Sequence, residues 1–509
     1  MNRIIILFIY FFFCLGVCAA QPPEIAEKEQ AIKETLLIAS AAQSRVLKIG
    51  LVDCITYALK NNSEIRIKKI EPLIYAQDIR TAEAAFEPTL SLEGSLEDSK
   101  AESPSILAGS HTRTEELNFG IDGKLPAGTE YELDFLNKRY KDNSAYLSVN
   151  PYYKSEFVIT ITQPLFKDFG TRVNRADIVI ASNNLEKLNQ DLKKELIDSL
   201  SGVKEAYYNY VLYIEKYKTA GVSLQRARDL LDIVQKRQKK GLASSIDLLE
   251  AKTGVAERED ILLGIERGLK LSEDNLKYVT NLIDDPQLWN ARIEPLDRPQ
   301  FEQGPVDLLE SLKTAFEYRP DYEAVKIELK NQNIRVLVKE NSILPSIDLV
   351  GSFGANGLDK DYEGALKADY KKWSTGVKIS FPWGNKEAKA GFEKANLVKK
   401  QLLISFERLQ QRIILEVRDA VRGAGTARKK IATAKKRMDT ETARYEAIER
   451  RFREGLVSAH DMLEYQEDLS SAETGYIQSL IDYSASQINL EKTMGTTLVK
   501  SDIKLREIE

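Results

Sequence analysis

Cysteine and histidine are scarce in this chain. Its 509 residues include three cysteines and two histidines. Removal of the first 20 residues would leave Cys54 as the sole cysteine, so no intrachain disulfide could form. The histidines, His111 and His460, lie far apart in the sequence, which argues against a histidine-based metal site or a Ser-His-Asp triad. The net charge of −4 argues against nucleic acid as a partner, because nucleic-acid-binding surfaces are clustered and basic.

Catalytic signatures are also missing. The sequence has no P-loop, no Gly-x-Gly-x-x-Gly after a strand, no Gly-x-Ser-x-Gly and no Cys/His cluster at metal-ligand spacing. We therefore expect neither enzymatic activity nor a cofactor. The tyrosines between residues 207 and 217 are assigned to packing between helices rather than to a ligand site.

Long apolar runs are confined to the N-terminus. Residues 4–17 are almost wholly apolar, follow a short basic start and precede small residues up to Ala20, which predicts a signal peptide over 1–20. Leu15-Gly-Val-Cys18 loosely resembles a lipoprotein box. Val17 fits that box poorly, so lipidation of Cys18 is the alternative. Since no other segment is apolar enough for a transmembrane helix, any entry into a membrane would be as a β-barrel.

One pattern occurs twice along the chain. A helical stretch runs to Pro88 and is followed by alternating residues, and the same order returns at Pro345. Gly241-Leu-Ala-Ser-Ser is later echoed by Gly455-Leu-Val-Ser-Ala. An internal repeat of this length indicates one structural unit built twice. The predicted divisions are a signal peptide (1–20), an N-terminal extension (21–47), a first repeat (48–285), a Pro-containing connector (286–306), a second repeat (307–500) and a tail (501–509).

Two long proline-free segments predict the main helices. No proline occurs between Pro164 and Pro286, or after Pro382. Within these segments apolar residues recur in steps of three and four, which average the 3.5-residue period of a coiled coil. The regular seam of the second segment comprises Leu402, Phe406, Leu409, Ile413, Val417, Ala420, Ala424, Ala427, Ile431, Ala434 and Met438. The apolar stripe is narrow, which fits helices in a wall with water on two sides.

Each long helix is interrupted at the echoed Gly-Leu sequence. Glycine after a basic last turn is a common helix stop. Ser244 and Ser458 follow the glycines, and Asp247 and Asp461 come three residues later, which predicts caps for the next helices. Both sites are therefore predicted to be the tips of helical hairpins.

Alternating residues between the helices predict strands. They fall at about 89–165 in the first repeat and at about 346–382 in the second. One apolar face is typical of a membrane barrel and equally of a half-buried soluble sheet, and the signal peptide favours the barrel. The span from Pro88 to Gly241 is 43 positions longer than that from Pro345 to Gly455, and the extra piece includes a hairpin signal at Leu125-Pro-Ala-Gly128.

The order, spacing and duplication of these motifs resemble those of TolC-like outer-membrane efflux proteins over nearly the whole mature chain. The shared motifs are Ala58-Leu-Lys-Asn-Asn-Ser63, Ala84-Ala-Phe-Glu-Pro88, Thr162-Gln-Pro-Leu-Phe-Lys-Asp-Phe-Gly170 and both Gly-Leu tips. The resemblance implies a mainly α fold in which three chains share one transmembrane β-barrel above a long α-helical coiled-coil tunnel. It implies a homotrimer in the outer membrane of a Gram-negative-type bacterium, in contact with outer-membrane lipid and with a large periplasmic part. It further implies a passive duct in a tripartite efflux or type I secretion system, with a periplasmic adaptor and an inner-membrane transporter docked at the tips.

The same resemblance nominates site residues at the tips. Asp461 and Glu464 match the acidic positions that ring the pore, and threefold symmetry would give six carboxylates that attract cations. The alternative is a helix-capping charge and a solvated glutamate. Asp247 and Phe452 match gate-contact positions, whereas Val457 stands where some members carry a locking arginine. The candidate docking residues are Gly241, Leu242, Ala243, Ser244, Gly455, Leu456, Val457 and Ser458.

Several alternatives stay open on the sequence. A secreted coiled-coil scaffold without a pore would share the signal peptide and the heptads. The extra hairpin gives eighteen strands per trimer if it joins the barrel and twelve if it stands outside. Drug, metal and protein export are all compatible with a passive duct.

Overall fold

The computed structural model describes residues 46–102, 109–144, 146–284, 288, 290–299, 304 and 306–501. The predicted signal peptide, Cys18, the extension up to residue 45 and residues 502–509 of the tail lie outside the described residues. Among the described residues, no helix combines the length and apolar character that a membrane span requires. The described part also contains no group of three or more His, Cys, Asp or Glu side chains arranged to hold a metal.

Long helices and long strands make up most of the fold. The helices are α1 (Leu51–Asn61), α2 (Ser63–Glu83), α3 (Thr171–Asn174), α4 (Ala176–Lys239), α5 (Ser245–Thr280), α6 (Leu308–Tyr318), α7 (Pro320–Asn341), α8 (Tyr362–Leu366), α9 (Lys386–Arg453), α10 (Ala459–Met494) and α11 (Thr497–Lys500). The strands are β1 (Val46–Ile49), β2 (Thr89–Lys100), β3 (His111–Lys124), β4 (Glu130–Asp142), β5 (Tyr152–Pro164), β6 (Arg292–Pro295), β7 (Ser346–Asp359) and β8 (Tyr370–Ser380). The predicted mainly helical class is therefore confirmed at this level.

The chain forms two compact units. The helical unit comprises the described parts of 1–66, 196–314 and 417–509, and the sheet unit comprises 67–195 and 315–416. Helices α4 and α9 each contribute one end to each unit.

The predicted seam of α9 is buried on one side of the helix. In the helical unit Val417, Ala420, Ala424, Ala427 and Ile431 are all less than a tenth exposed. The charged residues between them are exposed, except for the half-buried Arg428. The three- and four-residue steps therefore predicted the buried face correctly.

Two tyrosines of α4 pack against a short sheet that the sequence did not predict. Strands β1 and β6 pair in parallel and have only four residues each, which is too short for a periodic signal. Tyr207 and Tyr210 are buried. The Tyr210 hydroxyl donates to the Ile293 carbonyl at 2.7 Å, and the Tyr207 hydroxyl accepts from the backbone N–H of Asp297 at 3.0 Å. The tyrosine cluster thus has a packing role.

Helix α1 is held at its start by a carboxylate from the connector. Asp297 Oδ2 accepts from the backbone N–H of Leu51 at 2.6 Å, and Asp53 accepts from that of Gly50 at 2.9 Å. These bonds satisfy N–H groups that have no partner within the helix. Cys54, one turn into α1, is fully buried. Burial, together with the negative charges of Asp53 and Asp297, raises the pKa of the Cys54 thiol to about 12.

All six long strands form one antiparallel sheet in the order β2-β3-β4-β5-β7-β8. The predicted extra hairpin supplies the β3–β4 connection and lies within this sheet. Its turn closes through the Leu125 N–H donating to the Thr129 carbonyl at 2.8 Å. Gly128 has a φ of +96°, and a Cβ there would lie 2.3 Å from the Asp168 carbonyl oxygen, so the position requires glycine.

The two faces of the sheet differ in polarity. Directly paired residues on one face include Leu92 with Phe119, Leu133 with Ile159, and Leu349 with Val377. The next rows, on the other face, pair Asp122 with Glu132 and Thr160 with Ser352. A cavity on the polar face is lined by residues that include Thr89, Asp122, Glu132 and Thr160.

Replacing Tyr210 with Phe should destabilise the helical unit. The buried Ile293 carbonyl would lose its donor, which typically costs about 1–3 kcal/mol in the free energy of unfolding. Chemical denaturation of the purified protein followed by circular dichroism measures this loss. Tyr217→Phe on the same helix is the matched control, because Tyr217 is partly exposed. Equal effects of the two substitutions would contradict a structural role for the Tyr210 hydroxyl.

Candidate gate at the helical tips

The first tip, residues 240–244, joins α4 to α5. Gly241 ends the helix with a φ of +72°, a conformation that favours glycine. The Ser244 hydroxyl accepts from the Asp247 N–H at 3.1 Å, and the Asp247 carboxylate accepts from the Ser244 N–H at 2.8 Å. This reciprocal capping box starts α5.

The second tip, residues 454–458, repeats this geometry between α9 and α10. Gly455 has a φ of +83°. The Ser458 hydroxyl accepts from the Asp461 N–H at 3.1 Å, and the Asp461 carboxylate accepts from the Ser458 N–H at 3.2 Å. Both predicted glycine stops and both predicted serine caps are confirmed.

One apolar cluster joins the two tips within the chain. Its buried members are Leu230, Val234, Ala251, Phe452, Ala459 and Met462, and Ala243 and Val457 pack against it. Helices α5 and α10 also approach closely here: a Cβ added to Gly254 would lie within 3 Å of the Leu463 side chain. The tips are therefore a single packed body in each chain.

The two candidate ring carboxylates differ in their surroundings. Asp461 is bonded to both the hydroxyl and the backbone N–H of Ser458, which lowers the pKa of its carboxyl below the ordinary value. Glu464 is exposed, and its carboxylate has no hydrogen bond or ion pair among the described residues. The carboxylates lie one turn apart on α10, and a ring around an axis remains a prediction.

The candidate gate contacts lie in different environments. Phe452 is only 3% exposed, with its ring inside the tip cluster, whereas Asp247 caps α5. The first tip carries the same acidic pair as the second, with Glu250 one turn after Asp247. The Glu250 carboxylate lies 4.0 Å from Nδ1 of His460.

The candidate docking residues separate into exposed and inward-facing groups. Leu242 and Leu456 are 74% and 65% exposed at equivalent positions. Ala243 and Val457 pack onto the cluster, and Ser244 and Ser458 are used as caps. Among these candidates, Leu242 and Leu456 therefore present the apolar side chains available for contact with another protein.

The sequence reasoning missed the arginines that connect the two hairpins. Arg237 donates to the backbone carbonyls of Phe452 and Arg453. Arg226 forms a two-bond ion pair with Glu473, at 3.0 and 3.2 Å. The heptad pattern marks these residues only as polar positions, since nothing in it identifies partners on another helix.

The sequence is similar to those of named efflux proteins. The chain is 23% identical over 460 residues to the solvent efflux pump outer membrane protein SrpC of Pseudomonas putida, covering 88% of this chain and 85% of SrpC. It is 23% identical over 299 residues to the toluene efflux pump outer membrane protein TtgC of P. putida, covering 58% of this chain. That match spans 60% of the length of TtgC.

Solved structures share the fold. The outer-membrane channel OprN matches with a TM-score of 0.67 at 15% identity, over 88% of this chain and 90% of that one. The Campylobacter jejuni CmeC outer membrane channel matches with a TM-score of 0.65 at 17% identity, over 90% of both chains.

The family model described as outer membrane efflux protein matches residues 55–281 and 312–496, which is most of the chain. The predicted family is thereby confirmed, and with it the predicted outer-membrane efflux class, which is not a class of enzymes. The chain belongs to the outer membrane efflux protein family.

Proposed function

We propose that this protein is the outer-membrane channel of a tripartite efflux or type I secretion system, a passive duct from the periplasm to the exterior. One observation carries the proposal: a six-stranded sheet with one apolar face shares a chain with two helical hairpins that end in matched tips. Family membership supports the same reading.

The open edges of the sheet favour closure by further copies. Among the described residues, β2 and β8 each pair on one side only, and Leu92 on β2 and Trp373 on β8 are about three-quarters exposed. A sheet in lipid cannot leave edge N–H and C=O groups unpaired, so β8 of one copy would pair with β2 of the next. Three copies give eighteen strands, because the extra hairpin pairs within the sheet. The polar face of the sheet would then line the lumen.

Aromatic residues at both ends of the strands support contact with lipid. Tyr131, near the start of β4, and Tyr153, near the start of β5, lie on the apolar face at opposite ends of the sheet, and Phe381 follows the end of β8. Aromatic girdles of this kind flank the apolar band of membrane barrels. Trp383, which follows the C-terminal end of β8, is fully exposed in the single chain.

The helical hairpins would form the periplasmic tunnel of the homotrimer. Asp461 and Glu464 would then ring its narrow end. Asp247 and Phe452 are assigned to the gate as contacts between hairpins. The repeat boundaries predicted from the sequence are retained for this arrangement.

The exposed tip leucines are assigned to docking of a periplasmic adaptor, which links the duct to an inner-membrane transporter. The relatives are named for the efflux of solvents, toluene and antibiotics, so we propose small organic molecules as the cargo class. The alternative, a secreted scaffold, needs neither an apolar sheet face nor aromatic residues at its ends.

Fractionation tests the channel against the scaffold. We expect the full-length protein in outer-membrane fractions, as a trimer that dissociates on heating and conducts ions in planar bilayers. A monomer in the soluble periplasmic fraction would overturn the proposal.

Removing the two acidic groups should open the gate to anions and weaken its block by polyvalent cations. Asp461→Asn with Glu464→Gln removes the charges, and the amide oxygen at position 461 can still accept from the Ser458 N–H. Planar-bilayer recordings should show raised conductance and cation block weakened at least a few-fold, as should the corresponding double Ala variant. Asp229→Asn with Asp232→Asn is the control, because it removes two exposed charges one turn apart on α4, outside the tips. Unchanged conductance and block would take Asp461 and Glu464 out of the gate.

Charged substitutions at the exposed tip leucines should abolish efflux. Leu242→Glu with Leu456→Glu would place two carboxylates in the contact with the adaptor, where burying an unpaired charge is costly. Drug susceptibility of cells measures the loss, and Leu242→Met with Leu456→Met is the matched control. Efflux that persists in cells whose glutamate variant is trimeric would contradict the docking assignment.

A further inference from the structure

Arg237 holds the end of the helix that leads to the second tip. One terminal nitrogen of its guanidinium, Nη2, donates to the Phe452 carbonyl at 2.6 Å and to the Arg453 carbonyl at 2.9 Å. The guanidinium also lies over the Phe452 ring, 4.6 Å from its centre. One side chain of the first repeat thus contacts both the backbone and the aromatic ring at the last residues of α9.

These contacts are physically favourable at this place. The last carbonyls of a helix have no partner within it, and the helix dipole gives them partial negative charge. A planar guanidinium can donate from its edge while its face rests on an aromatic ring, which an ammonium group cannot do. Because Phe452 belongs to the tip cluster, the position of Arg237 is coupled to that of the whole second tip.

The internal repeat allows this contact to be compared with the equivalent positions in the other repeat. The residues equivalent to Arg237 and Phe452 in the other repeat are Arg451 and Gln238. Arg451 is exposed, and its side chain has no hydrogen bond, ion pair or ring contact within the described part of the chain. The arginine contact with the end of the neighbouring long helix is therefore made by the first hairpin and has no counterpart from Arg451 among the described residues.

We propose that Arg237 is a positioning residue of the gate. It fixes the end of α9, and through the Gly455 turn the start of α10, so that Asp461 and Glu464 stay at the closed position. Opening requires the release of both carbonyl bonds and the ring contact. This inference rests on the proposed channel function and adds the residue that controls the closed state.

Bilayer recordings of the full-length trimer test the role of Arg237. Arg237→Ala should raise the ratio of open to closed states by about tenfold or more, the factor that corresponds to losing one charge-assisted hydrogen bond. Arg451→Ala is the matched control, since it removes the same charge from the equivalent position beside the second tip. We expect its open-to-closed ratio to stay near that of the wild type.

Arg237→Lys separates positioning from charge. Lysine keeps the positive charge but loses the planar group, so the open-to-closed ratio should move toward that of the Ala variant. A ratio equal to that of the wild type, or equal effects of Arg237→Ala and Arg451→Ala, would show a charge effect and overturn the proposal. Where the Ala variant yields no trimer, the Lys variant and Phe452→Leu, which removes the ring but keeps an apolar side chain, decide the question.

Failure of the two proposals can be told apart. A wild-type protein that forms no conducting trimer would remove the proposed function, and the gate role of Arg237 with it. A conducting wild type whose Arg237→Ala variant has the same open-to-closed ratio would remove the positioning role alone.

Discussion

The narrow apolar stripe of the long helices is the constraint on which the rest of this structure depends. A helix such as α9 buries residues at three- and four-residue steps and leaves its remaining faces charged. Such a helix gains stability only by lying against a few neighbours along much of its length. The hairpin turns follow from this need, because each turn returns the chain as an antiparallel partner. The capping boxes at Ser244 and Ser458 then fix where each return begins.

Local patterns explain which parts could be predicted. Strands β2–β5, β7 and β8 alternate in polarity, and the glycine-serine turns carry helix stop and cap signals. The long strands and the hairpin tips could therefore be predicted from the sequence. Strands β1 and β6 were missed because four residues are too few for a period, and their pairing joins positions 246 residues apart. Arg237 was missed for a related reason. Its acceptors are backbone carbonyls on another helix, 215 and 216 residues later, and any residue type could supply them.

The two repeats differ in contacts more than in composition. Both tips carry an Asp and a Glu one turn apart, so acidity alone does not separate them, and family resemblance singled out the second pair. The two tips differ instead in residue pairs. Arg237 contacts Phe452, whereas the equivalent residues, Arg451 and Gln238, have no such contact among the described residues. Single differences between the repeats, such as Phe452 at the position equivalent to Gln238, therefore change which contacts form between the two hairpins.

The buried thiol in α1 has a practical consequence for labelling. Cys54 is fully enclosed, and with a pKa of about 12 it carries almost no thiolate at neutral pH. It is the one cysteine among the described residues, and the other two fall within the first 20. A cysteine introduced at an exposed position, such as Leu242, would therefore react with maleimide probes far faster than the native one. Spectroscopic distances between tips could be measured without altering α1.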